Sequence, residues 1–75
     1  MIYKDFIKDF NYHQEKSPSY RLGQHFINVF IKDEDDELIG DLWNKSGTSA
    51  VKHINRIIET YQWDYNDLPV KDSYK

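Results

Sequence analysis

Phe26-Ile27-Asn28-Val29-Phe30-Ile31 is the stretch on which the fold turns. Its β-branched and aromatic side chains suit a strand. A half-buried strand, however, alternates apolar with polar positions, and here only Asn28 interrupts an apolar run. Wound as a helix, the surrounding residues sort well: Leu22, Phe26, Val29 and Phe30 share a face, widened by Tyr20, Ile27 and Ile31. Arg21, Gln24, His25, Asn28 and Lys32 gather into a narrow polar stripe. Helix over 18–32 is the favoured reading and strand the rival, with Ser17 as N-cap and Pro18 at the first helical position, where its missing N–H is harmless. Gly23, on the far side from the stripe, permits a close helix approach.

Working outward, Ile2, Tyr3, Phe6, Ile7 and Phe10 line one side of a first amphipathic helix, and polar residues from Asn11 to Ser17 break that pattern. Downstream, the acidic run Asp33 to Glu37 leads into Leu38, Ile39, Leu42 and Trp43. This spacing predicts a short third helix with acids at its positive end. A last helix over 49–62 places Ala50, Val51, Ile54, Ile57, Ile58 and Tyr61 on one side, opposite Lys52, His53, Asn55, Arg56 and Glu59. Beyond Trp63 the periodicity stops. The expected fold is all-α, a bundle of three to four helices over residues 1–63, followed by an extended or frayed C-terminal tail over 64–75.

Seventy-five residues with no cysteine leave room for one core and exclude disulfides and thiolate metal sites. Neither a signal peptide nor a run of about 20 apolar residues is visible, so a soluble cytoplasmic protein without membrane association is expected. The net charge of −3 conceals segregation: residues 33–44 carry six acids and no base, whereas residues 1–32 carry five bases and three acids. Six uncompensated acids repel one another unless a basic partner answers them.

Chemistry-bearing motifs are absent. His13, His25 and His53 have no i, i+4 pairing among themselves and no HExxH arrangement. Asp33-x-Asp35-x-Glu37 starts like a calcium loop but has Leu38 where glycine is required and Asn44 where a bidentate acid is required. No serine or threonine sits in a nucleophile motif. A non-enzymatic protein without a cofactor or metal is therefore expected. Lys45, Lys52 and Arg56, with His53 beside them, are a thin footprint for nucleic acid. Nucleic-acid binding is thus a secondary reading, and a structural homo-oligomer, suggested by the small core, is another.

The stretch Arg21-Leu22-Gly23-Gln24-His25-Phe26-Ile27-Asn28 resembles the R-x-G-Q-x-x-x-N segment of small uncharacterised proteins from bacteriophages and bacteria. The resemblance implies a phage-encoded factor that binds and modulates a host protein in the host cytoplasm, and it names no functional residues. The leading expectation is a protein–protein interaction module. Its contacts come from Asp33, Asp35, Asp36, Glu37 and Asp41, from Arg21, Gln24 and Asn28 on the polar stripe, and from Trp63 and Tyr65, aromatic types favoured as interface anchors.

Overall fold

A computed structural model describes residues 1–74. Three α-helices make up the body: α1 (Tyr3–Lys16), α2 (Leu22–Phe30) and α3 (Gly47–Thr60). Single 3-10 turns occupy Leu42–Asn44 and Asp72–Tyr74. No strand occurs among the described residues, so the run at 26–31 resolves as helix, with Ile31 already extended. Nor is any described helix long and apolar enough to cross a membrane.

The central element is α2. Seven of its nine residues are buried, Leu22, Gly23, His25, Phe26, Ile27, Val29 and Phe30, as expected of a helix apolar nearly all round. Phe6 and Phe10 of α1 cover one side; Ala50, Ile54, Ile57 and Ile58 of α3 cover another. Gly23 makes possible the closest approach. A Cβ there would overlap the Leu42 carbonyl oxygen and lie 3.0 Å from that of Lys45, whose oxygen instead accepts the Gly23 N–H at 3.1 Å. The close neighbour that glycine admits is therefore the 42–45 turn.

The last helix lies two residues upstream of the expected 49–62 and the second ends at Phe30, two residues short of 32; four larger differences from the sequence expectation follow. First, α1 runs through the polar stretch at 11–16, where Lys16 lies 4.8 Å over the Tyr12 ring. Second, α2 starts at Leu22 because Pro18 is the second residue of a turn closed by Tyr20 N–H to Ser17 C=O at 2.8 Å; the same fixed φ suits proline to that position. At the true N-terminus, Gln24 Oε1 accepts the Arg21 N–H at 3.2 Å. Arg21 has no acceptor with which to return the bond.

Third, the helix expected from the acidic run is replaced by consecutive turns. Asp33 Oδ1 takes the Asp35 N–H and Asp36 Oδ1 takes the Leu38 N–H. Such side-chain bonds compete with helix for the same donors, and Gly40 adds a positive φ. Only Leu42–Asn44 becomes helical, as a single 3-10 turn.

Fourth, the segment after Trp63, expected to be extended or frayed, is tied to the body as far as Tyr74; Lys75 lies outside the described residues. Leu68 is buried, its N–H donating to Met1 C=O while the Met1 ammonium donates to Leu68 C=O. Lys71 Nζ reaches the carbonyls of Ile27 (3.2 Å) and Ile31 (3.1 Å), and the Lys71 N–H bonds to that of Val29. A cation thereby caps the negative end of α2. Tyr74 donates to Asp9.

Candidate functional site

The end of α3 determines where Trp63 goes. Gln62 adopts a left-handed φ of 59°, the Gln62 N–H bonds to Glu59 C=O, and the Trp63 N–H bonds to Ile58 C=O. This Schellman arrangement reverses the chain and turns Trp63 back toward α2, its ring centroid 6.4 Å from Phe26 and 6.5 Å from Phe30. Tyr61 stands 5.0 Å away, tilted by 49°. Trp63 and Tyr61, with Phe30, Ile31, Pro69 and Val70, line a groove of about 340 Å³ whose remaining wall is Lys32 and Asp33.

The acidic turns are fastened to this groove through Tyr61. Its hydroxyl donates to Asp36 Oδ2 at 2.5 Å. That bond, then the one from the Leu38 N–H, holds the Asp36 carboxyl below its usual value. Reciprocally, the Tyr61 phenol is pushed up to about 12, first by the bond to Asp36 and then by burial. Asp33, Glu34, Asp35 and Glu37 are exposed beside it.

The predicted contact residues separate into groups. Asp33 and Trp63 share the groove, and Asp36 touches it through Tyr61. Asp41 does not line the groove and pairs with Lys45 at 3.4 Å. Tyr65 is exposed and packs edge-on to Tyr3 at 5.7 Å. On the polar stripe, Arg21 is exposed, whereas Gln24 and Asn28 are half-buried and bonded within the chain, Asn28 Nδ2 donating to the Tyr20 hydroxyl. His25, also placed on that stripe, is 1% exposed.

Two further clusters emerge. Lys45, Ser49, Lys52, His53 and Arg56 surround a hollow of about 330 Å³. Lys45 Nζ donates there to His53 Nδ1 at 3.0 Å while His53 Nε2 donates to Leu38 C=O at 2.7 Å. Lys45 is thus engaged internally, and Lys52 and Arg56 are the exposed cations.

The other cluster joins α1, α2 and the C-terminal segment. Tyr20 OH bonds to His25 Nδ1 (2.8 Å), His25 Nε2 to Asp9 Oδ2 (2.8 Å) and Tyr74 OH to the same oxygen (2.8 Å). His13 Nε2 lies 3.6 Å from Asp9 Oδ1. Burial raises the Asp9 carboxyl, but bonds from Tyr74 and His25 and the charges of His25 and His13 outweigh it and leave the pKa lowered. Burial likewise drives His25 below its ordinary range against the pull of Asp9. Sequence inspection for histidine pairs misses this cluster, whose signal is Asp9-x-x-x-His13, one turn apart on α1.

Tyr74 resembles Tyr61 in reaching about 12, by burial first and then its bond to Asp9. Both folded pKa values exceed the unfolded value near 10, so the stability these phenols contribute is complete below about pH 10 and is lost as pH rises through about 12. In an absorbance titration at 295 nm, these two of the six tyrosines ionise last. Tyr61→Phe and Tyr74→Phe each remove one late-ionising group and flatten the alkaline fall in denaturation midpoint. An unchanged late phase in both variants contradicts the assignment.

No family model, curated protein or solved structure matches the chain. Function therefore rests on the arrangement of these side chains.

Proposed function

We propose that the protein is a small non-enzymatic interaction module whose groove at Phe30, Trp63 and Val70 receives a cationic segment of a partner protein, one apolar side chain settling against the Trp63 ring. The observation that carries this is the convergence of a half-buried tryptophan with an acidic run nearly thirty residues away in sequence. An apolar pocket supplies affinity through buried area. Five consecutive acids at 33–37 outnumber the nearby cations Lys32 and Lys71, the latter engaged with the Ile27 and Ile31 carbonyls, and so speed the encounter with basic segments and disfavour acidic ones. The resemblance at residues 21–28 supports the further reading of a phage-encoded factor acting on a host protein in the host cytoplasm.

The test uses a synthetic lysine-rich peptide with one central leucine, followed by Trp63 fluorescence in a Trp43→Phe background, since Trp43 is 42% exposed and would otherwise contribute. Saturable binding that weakens with salt is expected. Asp35→Lys with Glu37→Lys, both exposed, should lower affinity at least about tenfold, one decade corresponding to about 1.4 kcal/mol. Asp33 and Asp36 are left intact because their oxygens hold the Asp35 N–H, the Leu38 N–H and the Tyr61 O–H. Absence of binding at millimolar peptide, or equal binding by the charge-reversed protein, overturns the reading.

A second reading draws on the hollow beside Lys52 and Arg56, where a phosphate backbone would find two exposed cations. Phosphate contacts weaken steeply with salt. Labelled duplex and single strands titrated at two salt concentrations separate the readings: no binding at low salt removes nucleic acid.

A further inference from the structure

We propose that Asp9, His13 and His25 form a binding site for a first-row divalent transition-metal ion of the zinc type. One ligand atom from each lies within 4.8 Å of the others. Zinc–nitrogen and zinc–oxygen bonds of about 2.0–2.2 Å set neighbouring tetrahedral ligands about 3.3–3.6 Å apart. The two histidines meet different oxygens of the Asp9 carboxylate, His25 Nε2 lying 2.8 Å from Oδ2 and His13 Nε2 3.6 Å from Oδ1, and one ligand atom from each residue would have to close on the ion from within 4.8 Å. An ion entering between them needs only small side-chain movements.

The supporting scaffold suits a chelator. Asp9 and His13 project from successive turns of α1, and His25 is held from the opposite side by buried α2. Phe6 stacks on the His25 ring at 5.2 Å with an interplanar angle of 11°, fixing its plane. Access is open on the α1 side, where the His13 side chain is 42% exposed and that of Asp9 30%. Two imidazoles and one carboxylate match zinc, cobalt, nickel or copper better than calcium or magnesium, which prefer all-oxygen shells. Three protein ligands also leave a coordination position for water.

Proton placement agrees with this. The Asp9 carboxylate oxygen can only accept, which places the proton of a neutral His25 ring on Nε2 and leaves Nδ1 to accept from the Tyr20 hydroxyl, whose oxygen takes the Asn28 Nδ2 bond. Binding an ion at Nε2 moves that ring proton to Nδ1, where the Tyr20 oxygen accepts it and the phenol proton turns away. The ring stays neutral, and a hydrogen bond to its other nitrogen is the usual outer support of a metal-bound histidine. This site is separate from the groove and does not depend on the reading given for it.

Cobalt(II) is the direct probe, followed by zinc competition. The intact chain should take up one equivalent with visible d–d absorption that zinc abolishes, and 15N spectra should show the His25 proton shift from Nε2 to Nδ1. His13→Ala, at a half-exposed position, should keep its circular dichroism and lose affinity at least about tenfold. His53→Ala should bind like the unaltered protein. No cobalt spectrum with saturating metal, or full affinity in His13→Ala, overturns the assignment.

Discussion

Gly23→Ala is expected to destabilise the fold by about 3 kcal/mol, a large share of the roughly 4–11 kcal/mol typical of 75 residues. Alanine normally improves a helix interior by about 1 kcal/mol over glycine, so propensity alone predicts the opposite sign. Packing decides against it. The added carbon meets the carbonyl groups of Leu42 and Lys45, not the far end of a flexible side chain. Relief requires the 42–45 turn to withdraw from α2, which lengthens the Gly23 N–H bond to Lys45 C=O and loosens buried Leu42. Gly47→Ala provides the contrast: its φ is +56° and nothing lies within 4 Å of a Cβ. It should cost only the left-handed backbone penalty of about 1–2 kcal/mol. Urea unfolding of the two variants reads the difference, and a Gly23→Ala midpoint equal to or above the parent's disproves the close approach.

That glycine also shows what the 21–28 stretch does in this chain. Gly23 admits the turn, Gln24 closes the first turn of α2, and Asn28 braces the Tyr20 hydroxyl that holds His25. These side chains are spent on architecture. Gln24 Oε1 and Asn28 Nδ2 are thereby engaged within the chain, and the contact proposed above is placed on the acidic turns with Trp63.

The helical class was legible because Phe6 with Phe10, Phe26 with Phe30, and Ile54 with Ile58 repeat at one-turn spacing, which only a helix converts into a continuous buried face. The acidic segment was not legible. Leu38, Ile39, Leu42 and Trp43 have helical spacing, yet Asp33 and Asp36 divert their neighbours' N–H groups into side-chain turns, and periodicity carries no trace of that competition. Of the candidate site, Trp63 and the acids were separately visible as residue types. Their meeting was not, because it depends on a left-handed Gln62, a conformation that composition does not announce. The Asp9–His13–His25 cluster escaped for a related reason: two of its members are sequence neighbours on one helix, but the third arrives through the packing of α2 on α1.

Leu68→Ala tests the largest departure from the sequence expectation and should cost about 3 kcal/mol, within the range for emptying a buried leucine site. A frayed tail would give a change within about 0.5 kcal/mol, as surface substitutions do. Leu68 is 1% exposed and lies in a segment whose backbone is bonded to Met1 and, through Tyr65, to Tyr3. Removing its side chain opens a cavity and frees the strap that brings Lys71 to the end of α2 and Tyr74 to Asp9. The effect is therefore expected to reach beyond the cavity. Hydrogen exchange at the Tyr3 and Leu68 amides should be slow in the parent, where both donate to carbonyls across the two chain ends, and fast in the variant. Neighbouring Pro69 is exposed, and Pro69→Ala should leave the urea midpoint nearly unchanged, which separates loss of packing from a general sensitivity of the segment. If Leu68→Ala and Pro69→Ala unfold alike, the C-terminal segment does not bind the body as described. The wall that Pro69 and Val70 give the groove would then be lost with it.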